Sequence, residues 1–184
     1  MVEEEYAIIK QCLAGDAEQY AVMVDRYKTM AYNSAYRLLG DADTAKDMAQ
    51  ESFISAYGAL GHFKFNAKFS SWLYRIAINV CLTWRQREAR RDQVHTSWAR
   101  ANANAPGELD GPAESDPLSE SVQAALMKLP PKQRAAIVLT VYDGHNHAEA
   151  ARVLGCSETT VSWRVFAARR KLKRWLNTEG GPDA

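Results

Sequence analysis

Apolar residues recur with a helical period along almost the whole chain, and no stretch alternates convincingly as a half-buried strand would. Near the C-terminus Val161, Val165, Ala168 and Leu172 fall at i, i+4, i+7 and i+11, the buried stripe of one helix. Leu73, Ala77, Val80 and Trp84, with Ile76 at the edge, mark another, predicted to be capped by Ser70 or Ser71 and to run to about Arg91. Tyr20, Val24, Tyr27, Ala31 and Leu38 face inward on a helix capped by Asp16 and stopped at Gly40. Ala45, Met48, Ala49, Phe53 and Ala56 do so on the next, from Asp41 or Asp43 to about Ala59. A short helix around Glu4–Ala14 comes first. In the second half, helices are predicted near Ser119–Lys128 and from Pro131, suited to a first turn, to Tyr142 before Asp143-Gly144. The chain then reads as helix, glycine turn at Gly155 and second helix N-capped by Ser157. Small Ala151 lets that pair cross closely, which is the helix-turn-helix pattern.

The fold class expected is all-α, as two small helical domains joined by a flexible acidic linker, the C-terminal one a helix-turn-helix. From roughly Asn102 to Ser121 the chain reads NANAPGELDGPAESDPLSES, with Glu108, Asp110, Glu114, Asp116 and Glu120 and no Lys or Arg. Such a composition cannot bury a core. The expected organisation is a domain over 1–95, a linker over 96–120, a helix-turn-helix domain over 121–178, and a disordered tail over 179–184.

Net charge is only +1 over 184 residues, so the chain is no general polycation and any basic cluster acts locally. Arg164, Arg169, Arg170, Lys171, Lys173 and Arg174 form such a cluster on the last helix, with no acid among them. Cys12, Cys81 and Cys156 are odd in number, far apart and form no CxxC, the pattern of reduced thiols in a cytosol-like compartment. No basic segment opens the chain, so no secretory signal is expected, and Ala135–Tyr142 is too short to span a bilayer. His145 and His147 lack a second cluster and read as solvated loop histidines; no metal and no cofactor is expected.

Three surfaces carry candidate chemistry. On the long helix Trp72, Arg75, Asn79, Thr83, Gln86 and Arg90 line a face away from the core stripe, and the loop ahead supplies Phe63, Lys64, Phe65, Asn66, Lys68 and Phe69. Rings interleaved with cations suit unstacked bases and phosphates. For Phe63 and Phe69, packing of the loop onto the core is an equally good reading. Arg85, Arg87, Arg90 and Arg91, against Glu88 alone, prolong the basic face. On the helix after Asp43, Asp47, Gln50, Glu51, Ile54 and Gly58 fall opposite the inward stripe. An isoleucine rimmed by acids and an amide fits either a protein-docking patch or a solvated face. The third is that run of Arg85, Arg87, Arg90 and Arg91, and the outward face of the last helix adds the duplex reader.

Together these residues resemble the bacterial extracytoplasmic-function sigma factors, over nearly the whole chain outside the linker. The motifs are Ala45-Lys46-Asp47-Met48-Ala49-Gln50-Glu51-Ser52-Phe53; Phe69-Ser70-Ser71-Trp72-Leu73-Tyr74-Arg75-Ile76-Ala77-Ile78-Asn79; Leu129-Pro130-Pro131-Lys132-Gln133-Arg134 with Tyr142-Asp143-Gly144; and Glu149–Arg164. The resemblance implies a cytoplasmic bacterial protein, no enzyme itself, that binds core RNA polymerase, directs it to promoters and is controlled by an anti-sigma factor. It implies polymerase contact by Asp47, Gln50, Glu51, Phe53 and Ile54, with Phe53 supporting from inside. It implies capture of the minus-ten strand by Phe63, Lys64, Phe65, Asn66, Lys68, Trp72, Arg75, Asn79 and Arg85. Reading of the duplex minus-thirty-five element falls to Ser157, Glu158, Thr159, Thr160, Ser162, Trp163, Arg164, Phe166, Arg169 and Arg170. Ser162 and Ala167 stand where relatives often carry a basic residue. Asn146, His147 and Ala150 replace larger residues, which implies a looser first helix of the motif. Trp163 fits a thymine contact or a ring lying on the helix surface.

The rival reading is a helix-turn-helix transcription regulator with an N-terminal interaction domain, which leaves the aromatic-basic loop and the Asp47–Ile54 face without a task. No paired carboxylates, His/Cys cluster or glycine-rich phosphate loop favours an enzyme acting on nucleic acid.

Overall fold

The computed structural model describes residues 2–95 and 117–179, and every regular element among them is helical. The middle of the expected linker and the tail from 180 lie outside the described residues. Helices α1 (Val2–Leu13), α2 (Gln19–Leu39), α3 (Ala42–Gly58) and α4 (Phe69–His95) build the first block. Helices α5 (Pro117–Met127), α6 (Pro131–Ile137), α7 (His147–Leu154) and α8 (Glu158–Glu179) build the second. A π-helical turn, Val138–Tyr142, ends α6.

Local chemistry sets most boundaries. Asp41 caps α3 by accepting from the Thr44 amide at 2.8 Å, and the Thr44 side chain first and its amide second hold the Asp41 carboxyl below the usual range. Asp16 does not cap α2: that helix starts three residues later, after Glu18, without a side-chain cap. Gly40 ends α2 at φ +80, where a side chain would be strained, and the Met127 side chain of α5 packs into the space a Cβ would take, its sulfur 2.6 Å away. Gly155 ends α7 at φ +60.

Two apolar clusters form. The first joins Ile9, Met23, Ala31, Phe53, Phe69 and Leu73 of α1 to α4. Glu5 ties α1 down, accepting from the Tyr27 hydroxyl at 2.6 Å and from Arg26 at 3.3 Å. The second cluster crosses between the blocks: Leu38, Tyr74, Ile78 and Cys81 pack with Leu126, Leu129, Ile137, Leu139, Val153, Val161 and Val165.

That crossing explains where the sequence pattern errs on α4. Val80 and Trp84 are only half-buried, whereas Tyr74, Ile78 and Cys81 are buried, because a second domain covers a second flank of the helix. Burial pushes the Cys81 thiol up to about 12, so it behaves as a small hydrophobe. Polar links accompany the apolar ones. Gln123 Nε2 donates to the Tyr36 carbonyl at 2.9 Å, and Ser34 Oγ donates to Asp143 Oδ2 at 3.1 Å. Arg134, 1% exposed, donates to the Leu38, Met127 and Leu129 carbonyls.

Candidate nucleic-acid interface

The loop before α4 folds as an aromatic knot. Phe63 meets Tyr6, Phe65, Phe69 and Trp72 at centroid distances of 5.9, 5.0, 5.9 and 5.5 Å. Phe63 is 5% exposed and Phe69 fully buried, so core packing is the reading that holds for both. Phe65 takes a positive φ of 54 and sits edge-on to Tyr6 at 5.3 Å, with Lys10 Nζ 5.8 Å from its ring centre. Buried rings here position the loop; they are not free stacking platforms.

Around that knot lies an open cleft of about 550 Å³. Lys64, Asn66, Lys68, Trp72 and Arg75 of the expected strand-capturing set line it, and the edge of Phe63 reaches it. Trp72 is half-buried, seated on Phe63 and Phe69, which orients the indole while leaving part of it accessible. Asn79 is exposed but does not line the cleft. Arg85 does not line it either. It is half-buried and turned towards the Leu38 carbonyl at 3.4 Å, with its ionised form disfavoured by burial. The cleft also gains residues that the sequence did not signal: His62, Ser71, and from α7 Glu149, Arg152 and Val153.

On α3, Asp47, Gln50, Glu51 and Ile54 all face solvent, Ile54 at 66%. Phe53 lies beneath, buried, its carbonyl accepting from the Tyr20 hydroxyl at 2.9 Å. Tyr57, exposed one turn beyond Ile54 and 4.9 Å from the Tyr20 ring, extends the apolar patch. The i, i+3 spacing of Ile54 and Tyr57 was the signal available for it.

The helix-turn-helix is tied more firmly than its small residues implied. Asn146 and Glu149 form a reciprocal capping box, and His147 Nδ1 lies 2.8 Å from Ser162 Oγ, joining α7 to α8. His145 is no solvated loop histidine: its ring meets Tyr74 edge-on at 4.7 Å, and burial lowers its pKa. Ser157 caps α8 through the Thr160 amide at 3.2 Å, Ser162 also donates to the Glu158 carbonyl, and Arg164 folds against Cys156. Ser157, Thr160, Ser162 and Arg164 are thus engaged within the motif. Glu158, Thr159, Trp163, Phe166, Arg169 and Arg170 face solvent, Trp163 and Phe166 at 62% and 65%. Thr159, Trp163, Phe166 and Arg170 fall on one stripe opposite Val161, Val165 and Ala168.

No group of three metal-ligating side chains occurs among the described residues, and no helix among them is long and apolar enough to cross a membrane.

Comparison with known proteins converges on one family. Residues 23–91 match Sigma-70 region 2, and residues 119–172 match Sigma-70 region 4. The chain is 36% identical to the ECF RNA polymerase sigma factor SigW of Bacillus subtilis, across 91% of this chain and 94% of that one. It is 34% identical to SigM of Mycobacterium tuberculosis, covering 90% and 83%. Its fold resembles CnrH, solved in complex with the cytosolic domain of CnrY (TM-score 0.65, 29% identity, covering 94% and 96%). It also resembles the sigma factor RpoE solved with the anti-sigma factor NepR from Bartonella quintana (TM-score 0.73, 22% identity, covering 87% and 98%). With a region 2 match on the block that holds the cleft and a region 4 match on the block that holds the reader stripe, the chain belongs to the extracytoplasmic-function sigma factors of RNA polymerase.

Proposed function

We propose that three surfaces divide the work of a promoter-specificity factor acting in the bacterial cytoplasm, with no bond chemistry of its own. The α3 face, Asp47, Gln50, Glu51 and Ile54 backed by Phe53, docks on core RNA polymerase. The cleft of Lys64, Asn66, Lys68, Trp72 and Arg75 accepts an extruded base of the minus-ten strand, offsetting a few kcal/mol of unstacking. Melting is then a shift of population towards open DNA. The outward stripe of α8 enters the major groove, with Arg169 and Arg170 on phosphates and Thr159, Trp163 and Phe166 against base edges and methyl groups. The domains divide at 1–95 and 121–178. Because RpoE, whose fold this chain shares, was solved with the anti-sigma factor NepR, control of this chain by such a partner is part of the proposal.

The observation that carries this reading is the cleft: an oriented, half-accessible indole ringed by Lys64, Lys68 and Arg75 in a block that matches region 2. The test is addition of the purified chain to sigma-free core polymerase. Promoter-specific transcripts are expected; a requirement for another sigma factor would favour the helix-turn-helix regulator instead.

Ile54→Glu is expected to weaken association with core polymerase by about tenfold or more, the effect of a charge at the centre of an apolar contact. Folding stability should stay within about 0.5 kcal/mol, since the side chain is exposed. Titration against labelled core polymerase, paired with a urea melt, checks both halves.

A further inference from the structure

Helix α1 reaches the cleft only through the loop. Among the described residues none of α1 lines the cleft, and α1 precedes residues 23–91, the stretch that matches Sigma-70 region 2. Yet α1 carries the outer side of the loop. Tyr6 donates its hydroxyl to the Ala67 carbonyl at 3.1 Å, and its ring meets Phe63 and Phe65 edge-on at 5.9 and 5.3 Å. Lys10, one turn on, sets its ammonium 5.8 Å from the centre of the Phe65 ring. The helix is itself anchored, by buried Ile8, Ile9 and Cys12 and by the bonds from Tyr27 and Arg26 to Glu5.

What α1 holds is an uncommon backbone. Phe65, at φ +54, is the one non-glycine residue at positive φ among the described residues. A bulky side chain is an outlier there, and such a conformation persists only where its surroundings over-determine it. The left-handed turn sorts side chains by task. Lys64 and Asn66, on either side, line the cleft, whereas Phe65 packs on Tyr6 and Phe63. Returning Phe65 to a negative φ would rotate the chain by about 100° or more between Lys64 and Asn66, so the two could not both keep their aim.

We infer that α1 is the positioning element of strand capture: Tyr6 and Lys10 pin Phe65 in its left-handed turn, and that turn aims Lys64 and Asn66 at the captured base. This rests on the reading of the cleft given above. Tyr6, Lys10 and Phe65 are positioning residues, acting through the loop and not on DNA. Base choice at the minus-ten element then depends on a helix that never reaches the base.

The test reconstitutes holoenzyme from core polymerase and the full chain, as wild type, Tyr6→Ala, Tyr6→Phe or Phe65→Gly. Tyr6→Ala removes ring and hydroxyl, Tyr6→Phe the hydroxyl alone, and Phe65→Gly permits the turn while removing its tether. Trypsin cleavage after Lys64 and Lys68 reports the loop in the free chain. Titration reports core binding, and transcription from a library of random duplex fragments reports yield and base preference. Tyr6→Ala and Phe65→Gly should be cut about fivefold faster or more, as the loop opens locally. In both, the ratio of best to worst base at the captured position should fall about threefold or more, with core binding within about twofold, since misaimed groups lose discrimination first. Tyr6→Phe should fall between, because the ring contacts remain. A base preference as sharp as the wild type's in both Tyr6→Ala and Phe65→Gly would overturn the inference even if yield drops, since lost stability lowers yield without changing choice. Equal cleavage across the set would overturn it too, because the loop would then keep its shape without α1. Should Tyr6→Ala fail to fold, Phe65→Gly, confined to the loop, carries the same expectation. If trypsin separates the variants and the wild-type holoenzyme makes no promoter-specific transcript, the hold of α1 on the loop stands and the strand-capture reading falls.

Discussion

Arg134→Met is expected to destabilise the chain by about 3–5 kcal/mol and to loosen the junction between its two blocks. Arg134 is fully buried with no carboxylate beside it. Its guanidinium is held by carbonyls: Met127 at 2.6 Å, Leu129 at 3.0 Å and, across the junction, Leu38 near the end of α2. A cation at a helix C-terminus is favoured by the macrodipole, and here it satisfies an orphan carbonyl outright. Desolvation first, and the neighbouring Arg85 second, lower its pKa to about 10, which leaves it charged at neutral pH. Methionine fills similar volume but donates nothing. Each orphaned buried carbonyl costs roughly 1–3 kcal/mol, part of which is offset because a buried charge no longer needs desolvating. Arg134→Lys should fall between, since one ammonium cannot span three carbonyls in a planar fork. Urea denaturation followed by circular dichroism measures the loss. A wild-type midpoint for Arg134→Met would show that the carbonyls find other donors.

Trp72→Ala is the substitution expected to damage function most. A base stacked on an aromatic side chain gains on the order of 1–3 kcal/mol, so promoter-dependent transcription with core polymerase should drop roughly 5- to 150-fold. Binding to duplex minus-thirty-five DNA should be unchanged, because α8 carries that contact. The indole also rests on Phe63 and Phe69 at 5.5 Å, so Trp72→Phe separates packing from stacking: it should keep most stability and recover part of the activity. Open-complex formation on a promoter pre-melted over the minus-ten region is the sharpest readout. Trp72→Ala should remain defective there if the ring holds the base, and recover if it acts only in strand separation.

Much of this was legible in the residues themselves. The inward stripe of α3 follows one helical period because that helix packs one face, and its acids, amide and isoleucine are exposed as their spacing requires; α2 buries more than its predicted stripe, because Ala35, Leu38 and Leu39 pack with the second block. Ser157, Gly155 and Ala151 behave as a cap, a stop and a close-packing position. Less legible was anything set by docking between distant segments. Tyr74 and Ile78 look like flank residues until a second domain covers them, and Arg85 reads as a phosphate ligand until the Leu38 carbonyl claims it. Glu149 and Arg152 cannot be joined to the cleft from sequence, because nearly eighty positions separate them from Trp72. Asn146, His147 and Ser162 looked weak one at a time. Their strength lies in reciprocity, which spacing alone does not reveal.

The wide turn at Val138–Tyr142 has a consequence for how this segment tolerates change. A π-type bulge carries one residue more than an ordinary turn and is kept where a particular exit direction is needed. Each residue advances a helix by about 100°, so the surplus one re-aims everything that follows, sending Asp143 towards Ser34 and His145 towards Tyr74. Exchanging the side chain of exposed Val141 leaves that heading intact, whereas Val138 and Leu139 are locked in the core. Losing a single codon would swing Asp143 and His145 aside together, so the stretch is constrained in its length as well as at its two buried positions.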